Sequence, residues 1–414
     1  MRAGERLAKA EHELEILDSR LSERIPAYAQ LRSPKTATAK DTQAWCGIQR
    51  VILEYIVWQN MSYCFVIQSN GIHIVPIDSE YDYALAATEL RNAVFKKRQS
   101  LFSGKKASIQ KYRSELYAKL IAPVRPYFTD GTKRILIVPD GALSSIPFDI
   151  LGNEHEGVLC EKYALSFSPS VSVSMLREKK TASSFKMLGI GNAVYESAEP
   201  ATQGKTSAVS DYYKKTVRSW ENIPGTALEL KNIKNMIRKN EHISVYEGKN
   251  SPEALVKKLS HSGDLANYSQ ILFACHGYFN SDEPEFSSLV FSEVSGTVSA
   301  SDDDGYLTVS ELAVLNMNAD FLNLSACQTG LSEQRQGDGM VGLTRSCIVA
   351  GANNVGVTLW EVDDNATCEF QRIFYTHIKN GYSYESAYQS AKQEMKNSEQ
   401  WSDPVYWAAF VLYE

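Results

Sequence analysis

The chain has 414 residues, 43% of them hydrophobic and 22% charged, with a formal net charge of −6 at pH 7. That is apolar material for one large core or two ordinary ones, and the missing basic excess argues against direct nucleic-acid binding. No apolar run approaches the ~20 residues of a membrane span, and the seven cysteines lack metal-like spacing. The N-terminus "MRAGERLAKAEHELE" has no signal-peptide core, so the expectation is a cytoplasmic protein with free thiols, away from any membrane.

In residues 5–31, Leu7, Leu14, Ile16, Leu17, Leu21 and Ile25 recur at helical intervals, which predicts one amphipathic helix ending near Pro26. "SPKTATAKDTQ" (33–43) follows as a polar linker, so 1–45 reads as helix and linker. "VILEYIVWQNMSYCFVIQSNGIHIVPI" (51–77) holds β-rich runs that turn at Ser69-Asn70-Gly71, and 80–125 returns to helix. Residues 46–130 are therefore a β-rich and helical part, and 131–414 a larger unit.

In that larger unit, short apolar strands alternate with helical stretches. Strands are expected at 134–141, 185–192, 242–248, 270–277, 321–328 and 354–362, and helices at 226–239, 252–260, 338–351 and 365–397. Several strands are apolar throughout, as in a parallel sheet buried on both faces. The fold class is α/β: a doubly wound, mostly parallel central sheet flanked by helices, with chemistry at the carboxyl ends of strands. The longest weakly patterned region, 193–222, reads as a polar loop.

Two strands end in reactive residue types, Ala274-Cys275-His276-Gly277 and Ser325-Ala326-Cys327-Gln328. A lone strand-end cysteine ordinarily packs as a small apolar residue. If the strands are parallel neighbours, however, His276 and Cys327 leave the sheet at one edge, where an imidazole can activate a thiol as nucleophile. The backbone N–H groups of Gly277 and Cys327 could bind an oxyanion there. Cys275 should face away, because successive strand residues alternate. In the caspase pattern Q-A-C-[RQG]-G the histidine lies ~50 residues upstream of the cysteine. His276 and Cys327 are 51 residues apart, although Ser325 replaces the glutamine and Thr329 intervenes before Gly330.

The segments "ILIVPDGALSSIPFDIL" (135–151), "NIPGTALEL" (222–230), "FACHG" (273–277), "DGYLTVSEL" (304–312), "LSACQTG" (324–330), "GDGMVGLTRSCIVAGANNVGVTLWEVDD" (337–364) and "DPVYWAAFVLYE" (403–414) occur in this order. With them the chain resembles the CHAT peptidases, caspase-like domains often fused to tetratricopeptide repeats. The resemblance, from about residue 46 onward, implies a caspase-like fold in the clan of separase and gingipain. It also implies a cysteine endopeptidase with His276 as general base and Cys327 as nucleophile, needing no cofactor. It further implies a role in bacterial regulated proteolysis such as antiviral defence, on partners like gasdermin pore-formers or CRISPR-associated proteins. No tetratricopeptide array precedes the domain in this sequence, so either the chain is a trimmed piece of a longer protein or a separate protein activator or repeat-bearing partner is expected besides the protein substrate. The rival reading is a catalytically idle caspase-like interaction scaffold.

By the same likeness, the first substrate pocket falls to "LWEVDD" (359–364) and "VPDG" (138–141). Trp360 would be a wall, and Glu361, Asp363, Asp364 and Asp140 would make it acidic, favouring cleavage after a basic or neutral residue. The competing use of Asp140 and Asp364 is turn capping. "ASDDDGYLTVSE" (300–311) resembles a calcium loop but begins with alanine, and a solvated turn before a helix suits it better. "LGIGN" (188–192) lacks the third glycine of a dinucleotide loop.

Overall fold

Runs of β-branched and aromatic residues at the start of the chain make a meander. In the computed structural model, β1 (Arg50–Ile56), β2 (Ser62–Gln68) and β3 (Gly71–Ile77) are antiparallel neighbours, and Gln68 faces Gly71 across the Ser69-Asn70 turn. The described residues are 36–99, 106–175, 185–195, 220–236, 241–278, 286–292, 303–325 and 336–414, with a few isolated positions beside them. The helix expected over 5–31 falls almost wholly outside them. After helices α1 (Tyr83–Gln99) and α2 (Lys106–Leu116), strands β4 (Arg134–Val138) and β5 (Ala164–Phe167) extend the sheet in parallel from β1.

The alternation expected beyond residue 185 follows. It runs β6 (Lys186–Gly191), α3 (Gly225–Met236), β7 (His242–Glu247), α4 (Glu253–His261) and β8 (Gln270–Ala274). A side sheet of β9 (His276–Tyr278), β10 (Ser288–Val290) and β11 (Tyr306–Thr308) precedes β12 (Phe321–Leu324), α5 (Gln336–Val349) and β13 (Val355–Thr358). Helices α6 (Asp364–Lys379) and α7 (Tyr384–Asn397) and strand β14 (Phe410–Tyr413) close the chain. The single helical stretch expected over 365–397 is thus two helices. Gly381 takes φ +85°, and the N–H of Tyr382 returns to the carbonyl of His377 at 3.1 Å, a left-handed helix ending that only glycine makes cheaply.

The main sheet has 11 strands, ordered β3-β2-β1-β4-β5-β14-β13-β12-β8-β6-β7, so strands from 46–130 and from 131–414 share one sheet. It is the mostly parallel, helix-flanked sheet expected. Its seam is β14, which runs parallel to β5 and antiparallel to β13. Consequently β1, β4 and β5 point one way, and β13, β12, β8, β6 and β7 the other. The carboxyl ends of β4 and of β12 therefore open at opposite edges. Every residue of β8 is buried, as its apolar run requires. Across the two halves, Lys392 of α7 pairs with Asp149 at 2.5 Å, and both side chains are almost fully buried.

Candidate active site

The strand pair that would carry the chemistry is adjacent and parallel. Gln270 faces Phe321 and Phe273 faces Leu324, so β8 is matched to β12 residue for residue at an offset of 51. The N–H of Ser325 donates to the carbonyl of Phe273 at 2.9 Å, which keeps the strands in step to the end of β12. Cys327 lies outside the described residues. The offset of the pairing equals the His276–Cys327 separation in the sequence.

At Cys275 the chain leaves the main sheet, and His276 begins β9, where it faces Val290 of β10 while Gly277 faces Leu289. The sharp exit buries His276 to 5% exposure. The ring of Trp220 lies 4.9 Å away at 33°, and that of Tyr195 lies 4.9 Å away at 48°. Tyr195 ties these pieces together: its hydroxyl donates to the Val290 carbonyl at 2.9 Å and accepts from the His276 N–H at 3.2 Å. The indole N–H of Trp220 donates to the hydroxyl of Tyr306 at 3.0 Å.

The imidazole Nε2 stands 2.7 Å from the carbonyl oxygen of Glu221. A carbonyl can only accept, so Nε2 carries the proton and the neutral ring has its lone pair on Nδ1. Nδ1 is buried and has no hydrogen-bond partner among the described residues. Burial pushes the His276 pKa down, against smaller opposing effects of the Glu221 carbonyl and of the charges on Glu221 and Glu361. A neutral imidazole with one open, basic nitrogen can accept a proton from a thiol.

The other residues expected at the site divide. Glu361 is exposed and near enough to bias His276, so it shares that edge. Asp363 caps α6, its Oδ1 accepting from the N–H groups of Asn365 and Ala366 at 3.0 and 3.3 Å. Asp364 packs its carboxylate against Gly225 at the start of α3, where a side chain on residue 225 would collide with it. Two expectations need correction. Asp140 follows β4 and so lies at the opposite edge, where its Oδ2 accepts from the Val57 N–H at 2.7 Å and ties the turn after β4 to the end of β1. Trp360 is 2% exposed, and its indole N–H donates to the Val405 carbonyl at 3.0 Å, so it belongs to the core and forms no pocket wall. Glu311, the last residue of the stretch that resembles a calcium loop, closes a capping box with Thr308 at the start of a helical turn.

Sequence reading overlooked three parts of the site. Tyr195, Trp220 and Glu221 lie at the two ends of the 193–222 stretch read only as a polar loop, and both ends pack on His276; residues 196–219 lie outside the described residues. The third part is a buried carboxylate. Glu229 of α3 accepts from Ser325 Oγ at 2.8 Å and from the amide of Gln371. Burial raises its pKa to about 7, despite those two hydrogen bonds. Nothing in a helical "ALEL" marks it as buried, because the amphipathic pattern alone does not say which polar residue faces the core.

The mostly parallel, helix-flanked sheet defines a caspase-like α/β fold. The chain belongs to the CHAT domain family, whose model matches residues 110–414. Tetratricopeptide repeat protein 28 of Homo sapiens is 27% identical over 332 residues, covering 72% of this chain and 13% of that protein. The Mus musculus protein of the same name is 33% identical over 106 residues, 26% of this chain and 4% of its own length. The chain thus spans a small part of the curated relatives it matches. Among solved structures, the Saccharomyces cerevisiae separase–securin complex at 2.6 Å resolution aligns with a TM-score of 0.50 and 10% identity, over 91% of this chain and 31% of that one. That likeness is one of fold. Among the described residues, no helix is long and apolar enough to cross a membrane.

Proposed function

We propose that this protein is a cysteine endopeptidase that cuts a specific protein substrate through His276 and Cys327. The observation that carries the reading is the state of His276: neutral, held by the Glu221 carbonyl, and open only at Nδ1, two residues past β8, whose pairing with β12 has the same offset as His276 and Cys327 in the sequence. In this reading Nδ1 takes the proton of the Cys327 thiol as the sulfur attacks the scissile carbonyl. The backbone N–H groups of Gly277 and Cys327 hold the oxyanion. The same proton then passes to the leaving amine, and water, deprotonated by His276, releases the acyl-enzyme.

His276 is 5% exposed beneath Trp220 and Tyr195, which supports a latent enzyme whose aromatic cover shifts when a protein activator or repeat-bearing partner binds. Glu221, Glu361 and Asp364 leave the rim acidic, which supports cleavage after a basic or neutral residue. The setting we assign is intracellular regulated proteolysis in bacterial defence, with a gasdermin-like or CRISPR-associated substrate.

The test is capture of a cellular protein by the Cys327→Ala variant, followed by exposure of that protein to the parent enzyme and to His276→Ala. Cutting by the parent alone is expected. A captured protein left intact by the activated parent would sink the proposal. A fluorogenic peptide panel tests specificity separately, and efficient cutting after aspartate would defeat the acidic-pocket reading.

A further inference from the structure

The main sheet ends at β7, whose one neighbour among the described strands is β6. The His242 N–H donates inward to the Phe185 carbonyl. In a parallel pair the inward groups alternate, so the backbone N–H and C=O groups of Ile243, Val245 and Glu247 face outward. No described residue pairs with them. Unlike buried β8, β7 is exposed at both ends and half-buried between.

The two helices beside β7 lie on opposite faces of the sheet. The β6–α3–β7 connection moves outward and the β7–α4–β8 connection returns past β6, and right-handed crossovers place such helices on opposite sides. Between them lies a groove of about 1110 Å³. Leu230 and Val245 supply apolar floor, Lys231 and Lys234 of α3 stand on one rim, and Lys258 of α4 stands on the other. These three lysines are exposed and form no ion pair with a described residue, and Glu247 is the acidic residue of the lining. This concentration of positive charge sits on a chain whose net charge is −6.

Edge strands often carry lysine simply to block aggregation. Here β7 itself, "HISVYE", has no lysine or arginine; the charges stand on the flanking helices, where they frame the open edge without obstructing it. We propose that the β7 groove docks an acidic, extended segment of a partner protein as a twelfth strand. Its backbone would bond to Ile243, Val245 and Glu247, and its Asp and Glu side chains would meet Lys231, Lys234 and Lys258. The carboxyl end of β7 opens at the edge that holds His276, so a docked partner emerges beside the candidate active site.

The probe is a fluorescein-labelled peptide of alternating glutamate and valine, as long as β7, titrated by anisotropy into the full chain carrying Cys327→Ala. Saturable binding is expected, weakened about tenfold or more by Lys231→Glu with Lys258→Glu and by added salt. N-methylation of alternate peptide amides should abolish it, because charge is kept while the ladder hydrogen bonds are lost. That arm needs no protein variant and decides the matter even if the charge reversal unfolds the chain. Absence of binding, or equal binding of the N-methylated peptide or of a lysine-valine peptide, overturns the proposal. Binding seen only after deletion of residues 293–302 would give the groove to that segment of the chain itself and overturn the proposal too.

Discussion

Ser325 donates its hydroxyl proton to Oε2 of Glu229 across 2.8 Å, and so fastens the end of β12 to helix α3 two residues before the proposed nucleophile. The other carboxyl oxygen of Glu229 accepts from Gln371 of α6. Three elements thus converge on one carboxyl group that is 3% exposed. Asp364, Cys275, Cys368 and Tyr375 are the other titratable groups that feel it.

This carboxyl group makes stability depend on pH. Its folded pKa is raised to about 7, above the ordinary 4.5, so between those values the folded state holds more protons than the unfolded. The contribution is complete below the ordinary value and is lost as pH rises toward 7, at up to about 1.4 kcal/mol per pH unit. Glu229→Gln should therefore flatten the fall in Tm between pH 5 and pH 8 relative to the parent. Parallel Tm-versus-pH curves for the two proteins would refute this.

Thiol chemistry should single out Cys327. Burial pushes the Cys46 thiol up to about 11 and that of Cys160 up to about 12, and raises Cys64, Cys275, Cys347 and Cys368 as well. Iodoacetamide at neutral pH should modify one cysteine rapidly, at position 327, with the other six slow. Peptide mapping that finds uniform slow labelling would favour an idle scaffold.

The pH dependence of peptidase activity should report the depressed pKa of His276. The free base is needed, and burial extends its range below the ordinary imidazole value of 6.5. Activity should hold to below that pH and fall as the ring takes up its second proton. An acid limb of kcat/KM above 6.5 contradicts this assignment.

The Lys392–Asp149 pair should behave as a buried ion pair, costly to break and cheap to replace. Lys392→Met leaves Asp149 charged in the core and should destabilise the chain by about 3–5 kcal/mol. Lys392→Met with Asp149→Leu should recover most of that loss. Denaturant titration of the three proteins measures it, and a mild single variant would show that water reaches the pair.

The apolar runs "QILFA" and "FLNL" determined two buried strands, and the repeated strand–helix alternation determined a mostly parallel sheet, because burial on both faces leaves that signature in the residues themselves. The candidacy of His276 and Cys327 came from the residues in the same way: a histidine just after one apolar run, 51 residues before a cysteine just after another. Tertiary structure alone decided the rest. The reversal at β14 sent Asp140 to the far edge, and no feature of "VPDG" encodes the direction of a strand several places away. Packing took Trp360 into the core, brought Trp220 and the Glu221 carbonyl onto the imidazole, and closed Glu229 in beneath Ser325. Those are contacts between residues far apart in the chain, and their energies depend on which surfaces meet, a quantity that local periodicity does not contain.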